Sequence, residues 1–368
     1  MAQVPPYIEN LRPYEPGRSI DEVRQAYGLT RVAKLASNEN PLGPSPVALA
    51  AIHKSLSSVN FYPNGGLDLR VRLAEKFNLK VGNVIAGSGS DSVMAAIVRA
   101  YLHPGEEVLT TEGAFIGFQV QARGSGAVYR TVPYRDWRYD LPALAAAITE
   151  KTKIIYLANP NNPTGTIFSK EEFEQFYRLV PQRVLIILDE AYFEYAKANP
   201  EYPDSLDYRY DNVITLRTFS KIYGLAGLRV GYGFAHEDVI TNLLKVKLPF
   251  EPGALAQIAG VAALEDQEFV ARTLELNTRG LRLITDTLKE LGLDVVPSNA
   301  NFVMVPLEDA REAQWLTEEL LRKGVIVRPL GAFGLPHCVR ISTGTDEDHL
   351  MLLEAMKNLY LKEAKCRH

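Results

Sequence analysis

The sequence predicts an α/β protein in which a large domain built on a central, mostly parallel sheet is joined to a smaller α+β domain. Between about residue 83 and residue 234, short β-branched runs alternate with segments of helical period, the pattern that crossover connections leave. One run, Val184-Leu185-Ile186-Ile187-Leu188, is apolar at every residue, as a strand covered on both faces requires. After Pro252-Gly253 the texture changes to a long helical tract followed by alternating strands and helices. A length of 368 residues agrees with two domains rather than one.

In order along the chain, Val84-Ile85-Ala86 forms a strand leading into a helix over about 91–102, and Glu107 to Thr111 the next strand. Ile154 to Ala158, Val184 to Leu188, Val213 to Leu216 and Arg229 to Tyr232 supply further strands, with amphipathic helices over 141–149 and 169–179. The later helical tract runs to Leu291 and stops at Gly292, whose permissive dihedrals suit a helix end. Strands follow at 301–305, 325–328 and 338–342, with a helix over 308–323 and another to the end. The expected units are residues 1–35, an arm contributing to the smaller domain; 36–265, the large domain; and 266–368, the rest of the smaller one.

Composition narrows the function. Hydrophobic residues at 46% and charged residues at 23% are ordinary for a globular chain and exclude a disordered one. No apolar run reaches the ~18 residues of a bilayer span, so no membrane partner is expected. Lys and Arg total 40 against 44 Asp and Glu, which gives no electrostatic reason to expect nucleic acid. The two cysteines, Cys338 and Cys366, and the six histidines show no metal-ligand spacing, so no metal is expected. The segment Met1 to Tyr7 lacks the basic-then-apolar pattern of a secretory signal, and a cytoplasmic location is expected.

Ligands of open parallel sheets sit outside the carboxyl ends of the strands, so polar residues just beyond the apolar runs are informative. Gly87-Ser88-Gly89-Ser90-Asp91-Ser92 joins a strand to a helix and can close backbone N–H groups around an anion, although a plain capped turn uses the same residues. Asn159-Pro160-Asn161-Asn162-Pro163-Thr164-Gly165 is a rigid loop able to aim an amide. Asp189-Glu190-Ala191-Tyr192 places a half-buried carboxylate after the all-apolar strand, where it needs an ion-pair partner or a ligand. In Thr218-Phe219-Ser220-Lys221-Ile222-Tyr223, apolar surroundings would lower the pKa of Lys221 and favour a nucleophilic amine. An amine, a buried acid, a phenol, an amide and an anion cradle holding Ser220 and Arg229 together form the set that pyridoxal phosphate requires.

On these residues the chain resembles the fold-type I pyridoxal-phosphate aminotransferases. The resemblance covers nearly the whole length. It rests on Asn10 to Tyr14, Leu35 to Gly43, Tyr62-Pro63, the Gly87 loop, Pro160 to Gly165, Asp189 to Tyr192, Thr218 to Arg229, Val327 to Pro329 and Val339 to Ile341. It implies that Lys221 forms the Schiff base and then carries the substrate proton, that Asp189 keeps the ring nitrogen protonated, and that Asn162 and Tyr192 bond the ring oxygen. It assigns the cofactor phosphate to the backbone at Ser90 and Asp91 with Ser220 and Arg229, and ring stacking to Phe115. It also assigns to Tyr62 a reach into the partner subunit's site, hence a homodimer.

At the substrate end the resemblance implies Tyr14, Arg328 and Arg340, beside Asn162, as the group binding the phosphate of histidinol phosphate. The acceptor would be 2-oxoglutarate, giving glutamate, a step of histidine biosynthesis. An arginine fork also accepts carboxylates, so an aromatic amino acid aminotransferase stays open as the alternative. A decarboxylase of an amino-acid phosphate and a catalytically silent scaffold are further readings. Ser92, Phe118 and the run Leu248 to Pro252 depart from the pattern of the family, and they bear on substrate preference rather than reaction class.

Overall fold

The computed structural model describes residues 3–11, 17–208 and 210–366. The strands among the described residues are β1 (Ala33–Lys34), β2 (Val84–Gly87), β3 (Glu107–Thr111), β4 (Val128–Val132), β5 (Thr152–Ala158), β6 (Leu185–Asp189), β7 (Val213–Thr218), β8 (Gly231–Phe234), β9 (Phe302–Pro306), β10 (Val325–Ile326), β11 (Arg328–Pro329) and β12 (Cys338–Ser342). Seven of them form one sheet in the order β2-β8-β7-β6-β5-β3-β4. All neighbours in it are parallel except β8, which runs antiparallel to both β7 and β2.

This sheet is buried on both faces because successive residues of its central strands serve opposite layers. Ile154, Tyr156, Leu185 and Ile187 pack with Met94, Ile97 and Phe118 on one side. Ile155, Leu157, Ile186 and Leu188 pack with Phe173, Phe176 and Leu144 on the other. Alternation between two apolar layers explains why these strands read as unbroken apolar runs. A second core gathers β9 and β12 with Ile284, Leu316, Leu320, Leu352 and Met356. Strands β11, β12 and β9 form an antiparallel sheet beside it, and β1 pairs in parallel with β10, which ties residues 33–35 to the C-terminal third of the chain. None of the helices among the described residues is long and apolar enough to cross a membrane.

Register decides what meets at the carboxyl edge of the large sheet. Ala158 pairs with Asp189 across β5 and β6, and Asp189 with Leu216 across β6 and β7. Thr218 pairs with Gly231, and Gly231 with Gly87. Because β8 reverses direction twice over, β2 ends on the same edge as β5, β6 and β7, and the four candidate loops emerge side by side.

Three expectations are corrected. The strand expected at Arg229 to Tyr232 begins at Gly231, because Arg229 follows a short 3-10 turn with φ +51, outside extended geometry. The helical tract after Gly253 is two helices, Ala254–Ala263 and Gln267–Glu290, and Asp266 between them caps the second by accepting from the Phe269 N–H at 3.2 Å. Strand β4 was not expected; it is a half-exposed edge with no apolar run to mark it.

Gly231 is a position where only glycine fits, since a Cβ there would lie 2.4 Å from the Ser90 backbone nitrogen. Gly231→Ala is therefore expected to lower unfolding free energy by about 2 kcal/mol or more, whereas Gly227→Ala, with nothing within 4 Å, stays within about 0.5 kcal/mol. Urea denaturation checks the contrast, and equal effects at the two positions would contradict the close approach.

Candidate active site

Ser90, Asp91, Phe115, Asn162, Asp189, Tyr192, Ser220, Lys221 and Arg229 line a single cavity of about 670 Å³. The register accounts for this, since each residue follows or ends a strand at its carboxyl end, except Arg229, which precedes the amino end of the antiparallel β8 on the same edge. Phe115 precedes the helix Ile116–Gly124 after β3.

One end of the cavity is an anion cradle. Ser90 opens the helix Ser90–Tyr101, whose first N–H groups have no intrahelical acceptor. A Cβ on Gly89 would stand 2.7 Å from Arg229 Nη2, so glycine is what lets the guanidinium approach the turn. That guanidinium pairs with Asp91 Oδ2 at 2.7 Å and reaches Ser220 Oγ at 3.4 Å.

The other end holds Asp189, which is buried outright rather than half-buried. Among the described residues it forms no ion pair with lysine or arginine. Instead the Tyr156 hydroxyl donates to Oδ2 at 2.6 Å and the Ala191 N–H to Oδ1 at 3.2 Å. Burial pushes its pKa up to about 6, with those two hydrogen bonds and the nearby Lys221 charge pulling the other way. Burial also raises the pKa of Tyr156, which keeps its proton and remains the donor. The ring of Phe118 stacks on Tyr156 with centroids 4.5 Å apart.

Glu190, next in the chain, points to the opposite face. There Arg217, itself buried, donates from Nε at 2.9 Å and also bonds Asp204 at 2.7 Å. Burial opposes the charge on Arg217, but Glu190, Asp204 and Glu194 outweigh it and raise its pKa. This ion pair clamps the turn that presents Asp189 and Tyr192.

Lys221 is half-exposed on the cavity wall, less enclosed by apolar groups than Ile222 and Tyr223 beside it suggested. Its Nζ lies 3.4 Å from the Ser37 carbonyl and 5.7 Å from the centroid of the Tyr192 ring. The Tyr192 hydroxyl accepts a 2.7 Å hydrogen bond from Asn38 Nδ2.

A second cavity of about 1200 Å³ adjoins the first, sharing Asp91, Phe115, Asn162, Tyr192 and Lys221 with it. Arg328 and Arg340 line it as register partners on β11 and β12. Arg340 is buried, donates to Asn162 Oδ1 and to the Ala36 carbonyl (2.8 Å), and lies over the Phe302 ring. Arg328 is half-buried and has no ion-pair partner among the described residues. Tyr14 lies outside the described residues. Tyr62 is not in either cavity; it is 82% exposed and stacks on Phe250 with centroids 4.5 Å apart. Two residues escaped sequence reasoning, Tyr156 and Asn38. The single polar side chain within the apolar run of β5 was the available sign of the first.

A half-exposed amine, a buried acid and an anion cradle share one cavity. The chain belongs to the class I and II aminotransferases, matching that family over residues 30–356. It is 43% identical over 361 residues to histidinol-phosphate aminotransferase 2 of Pseudomonas fluorescens, covering 97% of each chain. The histidinol-phosphate aminotransferase of Brevibacillus brevis is 43% identical over 355 residues, covering 96% of this chain and 97% of that one. Among solved structures, the histidinol-phosphate aminotransferase of Sinorhizobium meliloti, in complex with pyridoxal-5'-phosphate, superposes with a TM-score of 0.90 at 30% identity over 98% of both chains. The fold-type I architecture expected from the sequence is the one observed.

The position of Asp189 predicts a pH dependence. Its folded pKa of about 6 lies above the ordinary value of about 3.9, so below pH 4 the carboxyl is neutral in both states and costs nothing. As pH rises from about 4 to 6 the unfolded chain ionises first, and the cofactor-free protein loses about 3 kcal/mol through this group. Asp189→Asn is expected to gain that amount relative to the parent between pH 4 and pH 7 in chemical denaturation of cofactor-free protein. A difference that does not change with pH counts against it.

Proposed function

We propose that the chain is a pyridoxal-phosphate transaminase that takes the amino group of L-histidinol phosphate and passes it to 2-oxoglutarate. The observation that carries this is the convergence of Lys221, Asp189 and the Gly89 cradle in one cavity, with Arg328 and Arg340 facing the adjoining one. The residues fit the cofactor: the glycine turn admits a phosphate beside Arg229, Phe115 offers a flat apolar wall, and the buried acid lacks the cation that a protonated ring nitrogen would supply.

Pyridoxal phosphate supplies, when bound, an electron sink for charge developing at the substrate α-carbon. The chain's residues do the rest. Lys221 Nζ would hold the cofactor between turnovers and, once displaced, would serve as the base and acid that moves the proton of the substrate α-carbon. Asp189, ionised beside a ring cation, keeps a proton on the ring nitrogen. Asn162 and Tyr192 bond the ring oxygen, while the N–H groups at Ser90 and Asp91 with Ser220 and Arg229 bind the phosphate. Arg328 and Arg340 form the anion fork of the substrate. One fork would serve both half-reactions, because a guanidinium can pair two of its N–H groups with two oxygens of either a tetrahedral phosphate or a planar carboxylate.

Exposed apolar side chains at Leu56, Val59, Phe61, Tyr62, Leu248 and Phe250 support a homodimer in which Tyr62 reaches the partner subunit's cofactor. The aromatic amino acid reading is favoured by one feature, the apolar wall of the adjoining cavity at Ile116, Val120 and Phe333. The relatives named for histidinol phosphate favour the first substrate. The proposed location is the cytoplasm.

Purified protein loaded with pyridoxal phosphate and dialysed is expected to retain an absorption band that borohydride fixes covalently to the chain, with Lys221→Ala abolishing the covalent fixation; no retained band in the parent would refute the cofactor assignment. In a donor panel, kcat/KM for histidinol phosphate should exceed that for phenylalanine. Arg340→Met should lower the former by about two orders of magnitude, as loss of a buried charged hydrogen-bond donor does. A phenylalanine preference transfers the assignment to the aromatic reading.

A further inference from the structure

Asn38 is buried at the junction of three segments, in the left-handed backbone region with φ +56. Its backbone N–H donates to Ser342 Oγ at 3.0 Å, and its carbonyl accepts from Asn301 Nδ2 at 3.1 Å. Ser342 Oγ lies 2.7 Å from Asn38 Oδ1, and Asn38 Nδ2 lies 2.7 Å from the Tyr192 hydroxyl. Hydrogen-bond accounting fixes the sense of this chain. A backbone N–H can only donate, so Ser342 Oγ accepts there and has its own proton left to give. Asn38 Oδ1 is its sole acceptor among the described residues. The amide oxygen therefore faces Ser342 and the amide N–H faces Tyr192. Turning the amide over would strand the serine proton in a buried site.

The consequence falls on Tyr192. Its oxygen already accepts a hydrogen bond from the Asn38 amide, so its own proton is free to point into the cavity that Tyr192 lines. We propose that Asn38 is a positioning residue that sets the direction of the Tyr192 hydroxyl, making it a donor toward the ring oxygen of the bound cofactor. This deepens, and rests on, the proposed transaminase function. An anionic ring oxygen that receives a hydrogen bond is stabilised in its charged form, so the acid–base group to which it belongs titrates at lower pH than it would opposite a lone pair.

Asn38→Asp isolates the effect. Aspartate tolerates the left-handed backbone, keeps the shape of asparagine and still accepts from Ser342, but it offers Tyr192 only lone pairs. The Tyr192 proton then turns toward position 38 and away from the cavity. The test is a spectroscopic pH titration of the bound cofactor's absorption band in the parent, N38D, Y192F and the double variant. The midpoint should rise by about one pH unit in both single variants, a tenfold change in the proton equilibrium. The double variant should match Y192F, because without the hydroxyl there is nothing for position 38 to direct.

A midpoint unchanged in N38D while Y192F shifts overturns the proposal and leaves the transaminase function standing. Absence of any cofactor band in the parent overturns both. If N38D does not retain cofactor, Ser342→Ala serves in its place. It removes the hydroxyl that orients the amide, and a midpoint equal to the parent's in S342A contradicts the proposal, whereas a smaller rise in the same direction supports it.

Discussion

The site depends on one topological constraint, the antiparallel insertion of β8 between β7 and β2. A single reversed strand leaves both its neighbours pointing the same way, so β2 delivers the Gly87 turn to the edge where β5, β6 and β7 deliver Asn162, Asp189 and Lys221. Glycine at 231 lets the backbones close there, since a Cβ would lie 2.4 Å from the Ser90 nitrogen and 2.6 Å from the Gly89 carbonyl carbon. The helix beginning at Ser90 is thereby set beside Arg229, whose guanidinium pairs with Asp91 in its first turn. Charge then follows geometry. The positive end of the cavity is made by backbone amides and an arginine, and the negative end by an acid that has no ion-pair partner among the described residues.

Burying that acid runs against stability, and a binding site commonly carries such a cost. Asp189 receives two hydrogen bonds where a lone buried carboxylate would seek a charge. In the proposed function, Asp189 would regain a charge partner from a protonated cofactor ring, so that cofactor capture and relief of an electrostatic penalty would be the same event. Tyr156 has a place in this. Fully buried and stacked on Phe118, it keeps its proton and donates a hydrogen bond to Asp189, which limits how far the acid is pushed toward neutrality.

Much of this was legible in the sequence. Strands β5, β6 and β7 are buried on both faces and so carry an apolar signal that needs no context. Asp189, Asn162 and Lys221 stand out because each polar residue follows such a strand. Strand β4 was not legible, since a half-exposed edge has neither an apolar run nor a clean alternation. The start of β8 was misplaced because Arg229-Val230 look strand-like, while the positive φ of Arg229 arises from the turn before it. The break at Asp266 is stabilised by Ser45, whose hydroxyl donates to it at 2.6 Å across 221 residues of sequence, a contact no local pattern encodes. Asn38 was hidden for the same reason, its partners Tyr192 and Ser342 being distant in the chain.

The neighbours Asp189 and Glu190 show how little slack the scaffold has. Two acids in succession, the last residue of β6 and the one after it, face opposite sides, one toward the cavity and one toward Arg217. Shifting β6 along its partners by one residue would exchange them, sending the longer side chain to the ligand and the shorter one to the guanidinium. Both would still be carboxylates, so charge alone cannot enforce the correct alignment. That task falls to the two oily layers sandwiching the strand, which makes the interior packing of the sheet, remote from any reacting atom, the guardian of the chemistry.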